Sequence, residues 1–544
     1  MKTVSGNIVD VLNSEIYPGK LKIANGKITD ITRETKKQET YIIPGFVDAH
    51  VHIESSMLPP SEFARVAAVH GTVAVVSDPH EIANVLGMEG VNYMIENAKT
   101  VPLKFFFGAP SCVPASPFET NGAVIGPEHV EELLKMAEIK YLSEIMNFPA
   151  VISGAPDIYA KISIAKKYRK LIDGHAPGLT GKDLGKYASA GISTDHECFT
   201  RKEAREKIKI GMKIIIREGS AAENLDELIP LLKNHDESCM FCSDDKHPDE
   251  LIRGHINNLV KRSLECGIDL MKVLKVACIN PVLHYGLDVG MLRHGDYADF
   301  LVVDDLNNLN ILKTVINGET VAEEGRSLIT KTPTEIVNNF NVSKRKLGDF
   351  TLPYKSGNIA VIEAISGQLI TKKLVVPPKI VGGNVVSDPE RDILKIVVVN
   401  RYREAKVAIG FVKNFGLKKG AIAASVAHDS HNIIATGVTD EDICRAVNLI
   451  IENKGGLSAV SKNREIFLPL PIAGLMSNED YPTVAEKYAL MDSTARAFGS
   501  RLDAPFMSLS FMALLVIPSI KLSDRGLFDG EKFAFMNIFQ EGME

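Results

Sequence analysis

The segment GFVDAHVHIE, residues 45–54, ends a short apolar run with two histidines that lie two positions apart, His50 and His52. Residues i and i+2 of an extended strand point to the same side, so we expect both imidazoles to project together. Two neutral imidazoles on a rigid strand suit a divalent metal such as Zn, Mn or Fe. Because a bare His-x-His pair also arises by chance on protein surfaces, other parts of the chain must supply further ligands.

Seven more apolar segments with polar tips follow the first one. They are TVAVVSD (72–78), LKFFFGAPS (103–111), YLSEIMN (141–147), LIDGHAP (171–177), ISTDHE (192–197), KIIIREGS (213–220) and SCMFCSDD (238–245). Helical patterns separate them, as in HVEELLKMAEI (129–139), TRKEAREKIKIG (200–211) and PDELIRGHINNLVKRSLECG (248–267). Eight strands alternating with helices over about 200–250 residues are typical of a (β/α)8 TIM barrel. The sequence therefore predicts an α/β protein with a metal-dependent barrel at residues 44–290.

Side chains that bind metals fall on the tips of five of these segments, where a barrel carries its active site. They are His50, His52, Glu144, His175, His196 and Asp244. Glu144 is the hardest to explain otherwise, because a carboxylate within an apolar strand needs a partner. We expect Glu144 to lie between two cations. The other ligands then divide into one group of His50, His52 and Asp244 and a second group of His175 and His196.

Two cations that share one oxygen bring the pKa of a bound water toward ~7 and so supply hydroxide at neutral pH. Asp244 would lie beside that hydroxide, where it can take a proton and pass it to a leaving amine. Asp245 and Glu197 are alternative proton carriers. Three polar residues after the second strand are candidates for orienting the ligand histidines: Asp78, His80 and Glu81. The predicted chemistry is hydrolysis at an electrophilic carbon.

Residues at the seventh strand tip are candidates for substrate binding: Arg217, Glu218 and Ser220. A structural salt bridge explains Arg217 and Glu218 equally well. Much later in the chain, SVAHDSHNI (425–433) carries His428 and Asp429, which we expect near the barrel mouth as substrate contacts or a proton shuttle. The alternative there is a polar turn at a domain interface, and a further metal site would lack a clear third ligand.

These motifs together resemble the amidohydrolase superfamily and, within it, the family of bacterial and archaeal adenine deaminases. The segments that carry the resemblance are PGFVDAHVHIESSM (44–57), VSDPHEIANVLG (76–87), ISGAPDIY (152–159), DGHAPGL (173–179), STDHE (193–197), REGSAAENL (217–225), FCSDDKHPDEL (241–251) and SVAHDSHNI (425–433). Glu144 departs from the commoner superfamily variant, in which a carboxylated lysine bridges the metals. The resemblance runs over nearly the whole chain, including its C-terminal third.

The resemblance implies that the chain hydrolyses adenine to hypoxanthine and ammonia in purine salvage. A hydroxide between two divalent ions, Mn2+ or Fe2+ with Zn2+ as a third option, would attack C6 of the purine. Another deaminase or cyclic amidase on the same barrel, acting on guanine, cytosine or a related ring, is the first alternative. A non-catalytic barrel scaffold is the second.

A different class of nucleobase deaminase binds one zinc through H-x-E and P-C-x-x-C motifs. This chain has a partial match in His52 to Glu54 and in Cys239 with Cys242. No proline precedes Cys239, and the two pieces lie nearly 190 residues apart. The cysteines also occupy one strand at an odd offset, so their side chains face opposite ways. We therefore expect no cysteine zinc site.

Two further regions complete the predicted organisation. Residues 1–43 and 291–335 show short alternating strands, which predict one small β-sandwich formed by the segments flanking the barrel. Residues 340–544 start a separate α+β domain, with helical patterns at 439–456 and 483–500. A chain of 544 residues is long enough for several such domains.

Net charge, cysteine content and the length of apolar runs limit the kinds of protein that this chain can be. A net charge of −6 opposes a nucleic-acid-binding surface. Seven scattered cysteines fit a reducing cytoplasm, and no apolar run is long enough to span a bilayer. We therefore expect a cytoplasmic enzyme for a small-molecule purine, with neither a nucleic-acid nor a membrane partner. A homo-oligomer, by default a dimer, is expected for such an enzyme.

Overall fold

A computed structural model describes residues 2–220 and 223–540. The chain begins with four strands: β1 (Lys2–Asp10), β2 (Glu15–Ala24), β3 (Lys27–Arg33) and β4 (Tyr41–Pro44). β2 pairs antiparallel with both β1 and β3, and β4 runs parallel to β1. Asn25 and Gly26 form the turn between β2 and β3, and both have positive φ. These two residue types tolerate that conformation well in tight hairpins.

Eight short strands come next: β5 (Phe46–Val51), β6 (Thr72–Ser77), β7 (Lys104–Ala109), β8 (Ile139–Ile145), β9 (Leu171–Gly174), β10 (Thr194–Asp195), β11 (Lys213–Arg217) and β12 (Cys239–Cys242). β5 to β9 form one parallel sheet and β10 to β12 another. Val51 bridges to Asp244 just after β12, and the backbone of Ser193 donates to Ile172 of β9. The strands thus follow one another around a TIM-barrel-like domain.

Helices alternate with these strands, as the sequence predicts. They are α1 (Pro60–Val69), α2 (His80–Leu86), α3 (Met88–Ala98), α4 (Pro127–Leu134), α5 (Phe148–Ser153), α6 (Pro156–Lys167), α7 (Gly181–Ser189), α8 (Arg201–Lys209), α9 (Leu225–Leu228), α10 (Leu232–His235), α11 (Pro248–Leu251), α12 (Ile256–Glu265), α13 (Leu270–Leu274) and α14 (Asn280–Tyr285). β5 and β6 are buried at every residue. Such strands read as apolar runs because helices and core cover both faces of the sheet.

The prediction of one continuous helix at 248–267 is wrong. α11 ends at Leu251 and α12 begins at Ile256. Between them the chain turns so that the imidazole of His255 enters the barrel, where it is 0% exposed. There Nε2 of His255 lies 2.8 Å from Oδ2 of Asp48, a contact between distant residues that a helical sequence pattern does not reveal.

After the barrel the chain returns to the first sheet with β13 (Phe300–Val303), β14 (Ile311–Ile316), β15 (Glu319–Glu323) and β16 (Arg326–Ser327). β13 runs antiparallel to β4, so both flanking segments share one eight-stranded sheet. Its core includes Ile8, Ile42 and Phe300. The predicted association of the two segments is therefore present, and their arrangement as a two-layer sandwich stays a prediction.

The remaining described residues form further strands and three α-helices. They are β17 (Asn358–Ala364), β18 (Thr371–Val376), β19 (Lys379–Val381), β20 (Asn384–Val386), β21 (Ile393–Val399), β22 (Ala408–Lys413), β23 (Ala421–Ala424), β24 (Ile433–Gly437), α15 (Asp440–Asn453), β25 (Gly456–Ser461), β26 (Arg464–Pro469), α16 (Tyr481–Ala497), α17 (Pro505–Ser510), β27 (Ile520–Ser523), β28 (Gly526–Asp529), β29 (Ala534–Phe535) and β30 (Phe539–Gln540). The main sheet has the order β18-β17-β22-β21-β24-β23-β25-β26, with β30 on β17. In the described residues, no helix combines the length and the apolar character that a membrane crossing requires.

The C-terminal region packs on the barrel at the carboxyl ends of its strands. The hydroxyl of Tyr488 lies 2.5 Å from Nδ1 of His247, which follows β12. The backbone N–H of Tyr481 donates to Oε2 of the buried Glu62 at 3.0 Å. Asn432 donates to the carbonyl of Thr120 at 2.9 Å. The first two contacts join α16 to the barrel, and the third joins the loop between β23 and β24 to the loop after β7.

Asp48 on β5 joins the first and last strands of the barrel. Its carboxylate accepts hydrogen bonds from the backbone N–H and the hydroxyl of Ser243, after β12. Oδ2 also lies 2.8 Å from Nε2 of His255, whose Nδ1 contacts Thr72 of β6 at 2.6 Å. Asp48, His255 and Thr72 are fully buried, so this network has no water to replace a lost partner.

Substitution of this carboxylate tests the closure of the barrel. Asp48→Ala leaves Ser243 and His255 without their acceptor in the interior, which should cost about 3 kcal/mol of stability. We expect a melting temperature several degrees below wild type in differential scanning calorimetry. Asp30→Ala is the matched control, because the half-exposed Asp30 on β3 contacts Lys22 and Thr32 at the protein surface. Equal melting temperatures for both variants would contradict a closing role of Asp48.

Candidate metal centre

The six side chains predicted as metal ligands converge at the carboxyl ends of five barrel strands. They are His50, His52, Glu144, His175, His196 and Asp244, and none is more than 8% exposed. Such burial of ionisable groups requires that they satisfy one another or hold an ion. These six residues, although far apart in the sequence, therefore form one cluster in the structure.

The first group lies where β5 meets the end of β12. Nε2 of His50 and Nε2 of His52 are 3.1 Å apart. Oδ1 of Asp244 lies 3.7 Å from the first nitrogen and 3.4 Å from the second. The ring of His196 stacks on that of His50 with centroids 4.1 Å apart. His196 therefore lies next to this group as well as next to His175.

The second group surrounds the carboxylate of Glu144 on β8. Oε2 of Glu144 lies 2.7 Å from Nδ1 of His175 and 3.2 Å from Nε2 of His196. Oε1 faces the other way and lies 3.4 Å from Nε2 of His52. Each oxygen thus faces a different set of histidines. A carboxylate in this orientation can lie between two cations and contact both.

Hydrogen bonding fixes which nitrogen of His52 could bind a cation. Nδ1 lies 3.1 Å from the backbone carbonyl of Asp78. A carbonyl only accepts, so Nδ1 carries the hydrogen and Nε2 keeps its lone pair. That lone pair faces His50, Glu144 and Asp244. Such a set of imidazole and carboxylate donors, with groups of three or more ligand atoms within 4.8 Å of one another, fits a divalent cation.

Arg217 on β11 holds two acids at the edge of the cluster. Its Nη1 donates to Oδ2 of Asp244 at 2.5 Å, and its Nη2 donates to Oε2 of Glu197 at 2.8 Å. Burial opposes ionisation of Asp244, but the charges of Arg217 and the neighbouring histidines hold its pKa well below the usual range. Burial together with the negative Asp244 raises the pKa of Asp245. The pKa of Asp244 is therefore lowered, whereas the pKa of the adjacent Asp245 is raised.

The three residues after β6 that were predicted to orient ligand histidines are Asp78, His80 and Glu81. They lie close enough to the cluster to contact it themselves. Nδ1 of His80 is 3.2 Å from Oδ2 of Asp78 and 3.6 Å from Oε1 of Glu144. Nε2 of His80 lies 3.4 Å from Oε1 of Glu81. His80, Asp78, His52 and Glu144 form one of the groups whose ligand atoms all lie within 4.8 Å. The sequence already indicated this position, because these polar residues directly follow an apolar strand of the barrel.

A narrow cavity of about 30 Å3 opens over these side chains. Its apolar walls are Met146, Leu369, Phe511 and Leu514. Lys521, fully buried on β27, donates to the carbonyl oxygens of Leu369 at 2.6 Å and Phe511 at 2.9 Å. The C-terminal region thus supplies most of the apolar wall. Sequence reasoning missed these residues, because an apolar cavity wall has the same sequence signature as a protein core.

The remaining predicted site residues divide into two sets. His428, Asp429, Arg217, Glu197 and Asp245 line the cavity. Glu218 instead contacts Arg262 of α12, and Ser220 donates to Oε2 of Glu250 at 2.7 Å. Neither Glu218 nor Ser220 is among the residues lining the cavity. Their substrate-binding roles stay predictions.

Known protein families match both the barrel with its flanking strands and the C-terminal region of this chain. Residues 41–321 match the amidohydrolase family, and residues 368–534 match the adenine deaminase C-terminal domain. Adenine deaminase of Sulfurovum sp. (strain NBC37-1) is 55% identical over 98% of this chain and 99% of its own length. Adenine deaminase of Salinibacter ruber is 53% identical over 99% of both chains.

One solved structure, β-aspartyl dipeptidase from Fervidobacterium islandicum AW-1, covers 61% of this chain and 100% of its own chain. It is 16% identical with a TM-score of 0.46, which is too weak a similarity to carry an argument. The full-length sequence identities are decisive instead. The chain belongs to the adenine deaminase family of the amidohydrolase superfamily.

Proposed function

We propose that this chain hydrolyses adenine to hypoxanthine and ammonia, a reaction of purine salvage. One observation carries the proposal: four histidines and two carboxylates from five strand tips meet beneath a narrow cavity with apolar walls. The full-length relatives named adenine deaminase support adenine as the substrate. The substrate partner is then a small-molecule purine.

The donor set suits two divalent cations. One would lie among His50, His52 and Asp244, and the other between His175 and His196, with Glu144 contacting both. Imidazole and carboxylate ligands bind Mn2+, Fe2+ and Zn2+ alike. The choice of Mn2+ or Fe2+ therefore rests on the family resemblance. When bound, the cations supply hydroxide for attack at C6, because they lower the pKa of a water toward ~7.

The reaction requires two proton transfers that the chain must perform. Addition of water to C6 and departure of ammonia break the C–N bond and form a C–O bond. One proton of the water leaves with the ammonia, and the other ends on N1 of the product. Asp244 is suited to the first transfer, since Oδ1 faces the histidines while Arg217 holds Oδ2. Glu197, held by the same Arg217, is suited to the second transfer.

The walls above the cluster would bind the purine ring after they part to admit it, because the cavity of about 30 Å3 holds little more than a water molecule. Phe511 and Leu369 offer apolar surface to its faces, and His428 stacks against Phe511 with ring centroids 4.6 Å apart. Oδ2 of Asp429 is buried and has no hydrogen-bond partner among the described residues. It can therefore accept a hydrogen bond from an N–H of the substrate. A buried acceptor left unpaired would penalise rings without a matching donor.

A substrate panel tests the proposed function directly. Ammonia release from the Mn2+-loaded protein is measured with adenine, guanine, cytosine and a cyclic amide such as hydantoin. We expect turnover with adenine and at most weak turnover with the others. Release from guanine or cytosine without release from adenine would assign the alternative deaminase activity. A chain that retains its metal and releases no ammonia from any compound would be a scaffold.

Replacement of the predicted proton carrier gives a second test. Asp244→Asn keeps one oxygen toward the histidines but cannot accept a proton, so we expect kcat to fall by about 10²–10⁴-fold. Metal content by mass spectrometry should stay close to wild type. Asp249→Asn is the matched control, since Asp249 on α11 lies outside the cavity.

Asp245→Asn and Glu197→Gln complete the comparison. A normal kcat for Asp244→Asn, together with a collapse in one of these two variants, would move the proton carrier to that residue. A parallel loss of metal in the Asp244 variant would show that its carboxylate serves mainly as a ligand.

A further inference from the structure

Three polar side chains outside the proposed ligand set meet where the C-terminal region covers the barrel. They are Glu81 on α2 and His428 and His431 between β23 and β24, each at most 3% exposed. Oε1 of Glu81 lies 2.5 Å from Nδ1 of His428, and Oε2 contacts Nε2 of His431. One barrel carboxylate therefore joins two imidazoles of the C-terminal region.

The backbone fixes the hydrogen of His431. The N–H of Ala427 lies 3.3 Å from Nδ1 of His431. An N–H only donates, so Nδ1 keeps its lone pair and Nε2 carries the hydrogen that is donated to Glu81. Burial lowers the pKa of His431 to about 4, which agrees with a neutral ring. His431 thus occupies one oxygen of Glu81 as a fixed donor.

The second oxygen of Glu81 orients His428. A carboxylate only accepts, so Nδ1 of His428 carries the hydrogen of their contact. The ring of His428 also stacks on Phe511, at an interplanar angle of 15°. With Nδ1 used by Glu81 and one face covered by Phe511, Nε2 is the nitrogen that remains for a ligand. His428 itself lines the cavity above the predicted metal ligands.

We propose that Glu81 and His431 are positioning residues, which fix the ring of His428 so that its Nε2 hydrogen-bonds to a ring nitrogen of the purine. The inference rests on the proposed function and deepens it, since it names the residue through which the C-terminal region contacts substrate. Glu81 acts through His428, whereas His431 acts through Glu81. A ring held in this way loses little rotational freedom when substrate binds.

A third cation is the competing explanation, because the ligand atoms of Glu81, His428 and His431 lie within 4.8 Å of one another. Nε2 of His431 would then need its lone pair, which would move the hydrogen to Nδ1. That hydrogen would oppose the N–H of Ala427. The backbone contact therefore favours hydrogen bonding over metal binding.

Glu81→Gln tests the positioning role with almost no change of shape. A glutamine has one accepting oxygen, and its amide N–H2 must face a histidine that also donates. One of the two contacts is therefore lost. We expect KM for adenine to rise about tenfold or more with a smaller change in kcat, in line with the loss of a charge-assisted hydrogen bond. Metal content should equal that of wild type.

A double variant separates positioning from a general effect on the fold. If Glu81 acts through His428, Glu81→Gln should add little to the rise in KM that His428→Asn causes alone. Glu62→Gln is the matched control, because Glu62 is a buried glutamate at the same domain interface and lies outside the cavity. It should leave KM near wild type. His431→Gln tests the same positioning through Glu81, and we expect it to raise KM less than Glu81→Gln does.

Three results would overturn the inference. They are full additivity in the double variant, an unchanged KM in Glu81→Gln, and the loss of one metal equivalent in Glu81→Gln, which would reveal a cation site. Failure of the proposed function is a separate outcome, since it means no ammonia from adenine with the wild-type protein. In that case 15N spectra of histidine-labelled, Zn2+-loaded protein still test the geometry. In wild type, Nδ1 of His428 should carry a hydrogen that is hydrogen-bonded to Glu81, whose charge raises the pKa of His428 to about 9. In Glu81→Gln that hydrogen bond should be lost and the pKa of His428 should fall.

Discussion

The site depends on the ionised carboxylate of Glu144, which is buried among histidines from the ends of four other strands. Burial alone would favour the neutral acid, but His175 and His196 hold the pKa of Glu144 well below its usual range. An ion in such a place is stable only if its partners are held rigidly. The barrel provides that rigidity, because Asp48 ties β5 to the end of β12 and so fixes the strand that carries His50 and His52.

The C-terminal region converts this cluster into an enclosed site. Leu369 and Phe511 cover the cavity, and the single ammonium of Lys521 holds the backbone of both residues. Exclusion of water strengthens every charge interaction beneath them. The contact of Glu81 with His428 then crosses the interface, so the barrel and its cover share one hydrogen-bonded network.

Much of this architecture could be predicted from the sequence, because strand tips of a barrel repeat at a regular interval and polar residues stand out against apolar strands. The cavity walls could not, since Leu369 and Phe511 resemble any core residue. Arg217 is the last residue of β11, and Glu218 follows it in an isolated β-bridge. Consecutive residues of such extended chain face opposite sides, which explains why Arg217 lines the cavity and Glu218 contacts Arg262. The homodimer and the cytoplasmic location stay predictions, because neither leaves a signature within a single chain.

Anomalous diffraction from crystals of the Mn2+-loaded protein, recorded at the manganese edge, would locate the cations. We predict two peaks per chain about 3.5–4 Å apart, one on each side of the Glu144 carboxylate. A single peak, or peaks away from the side chains of residues 50, 52, 144, 175, 196 and 244 in protein that deaminates adenine at full rate, would contradict this prediction.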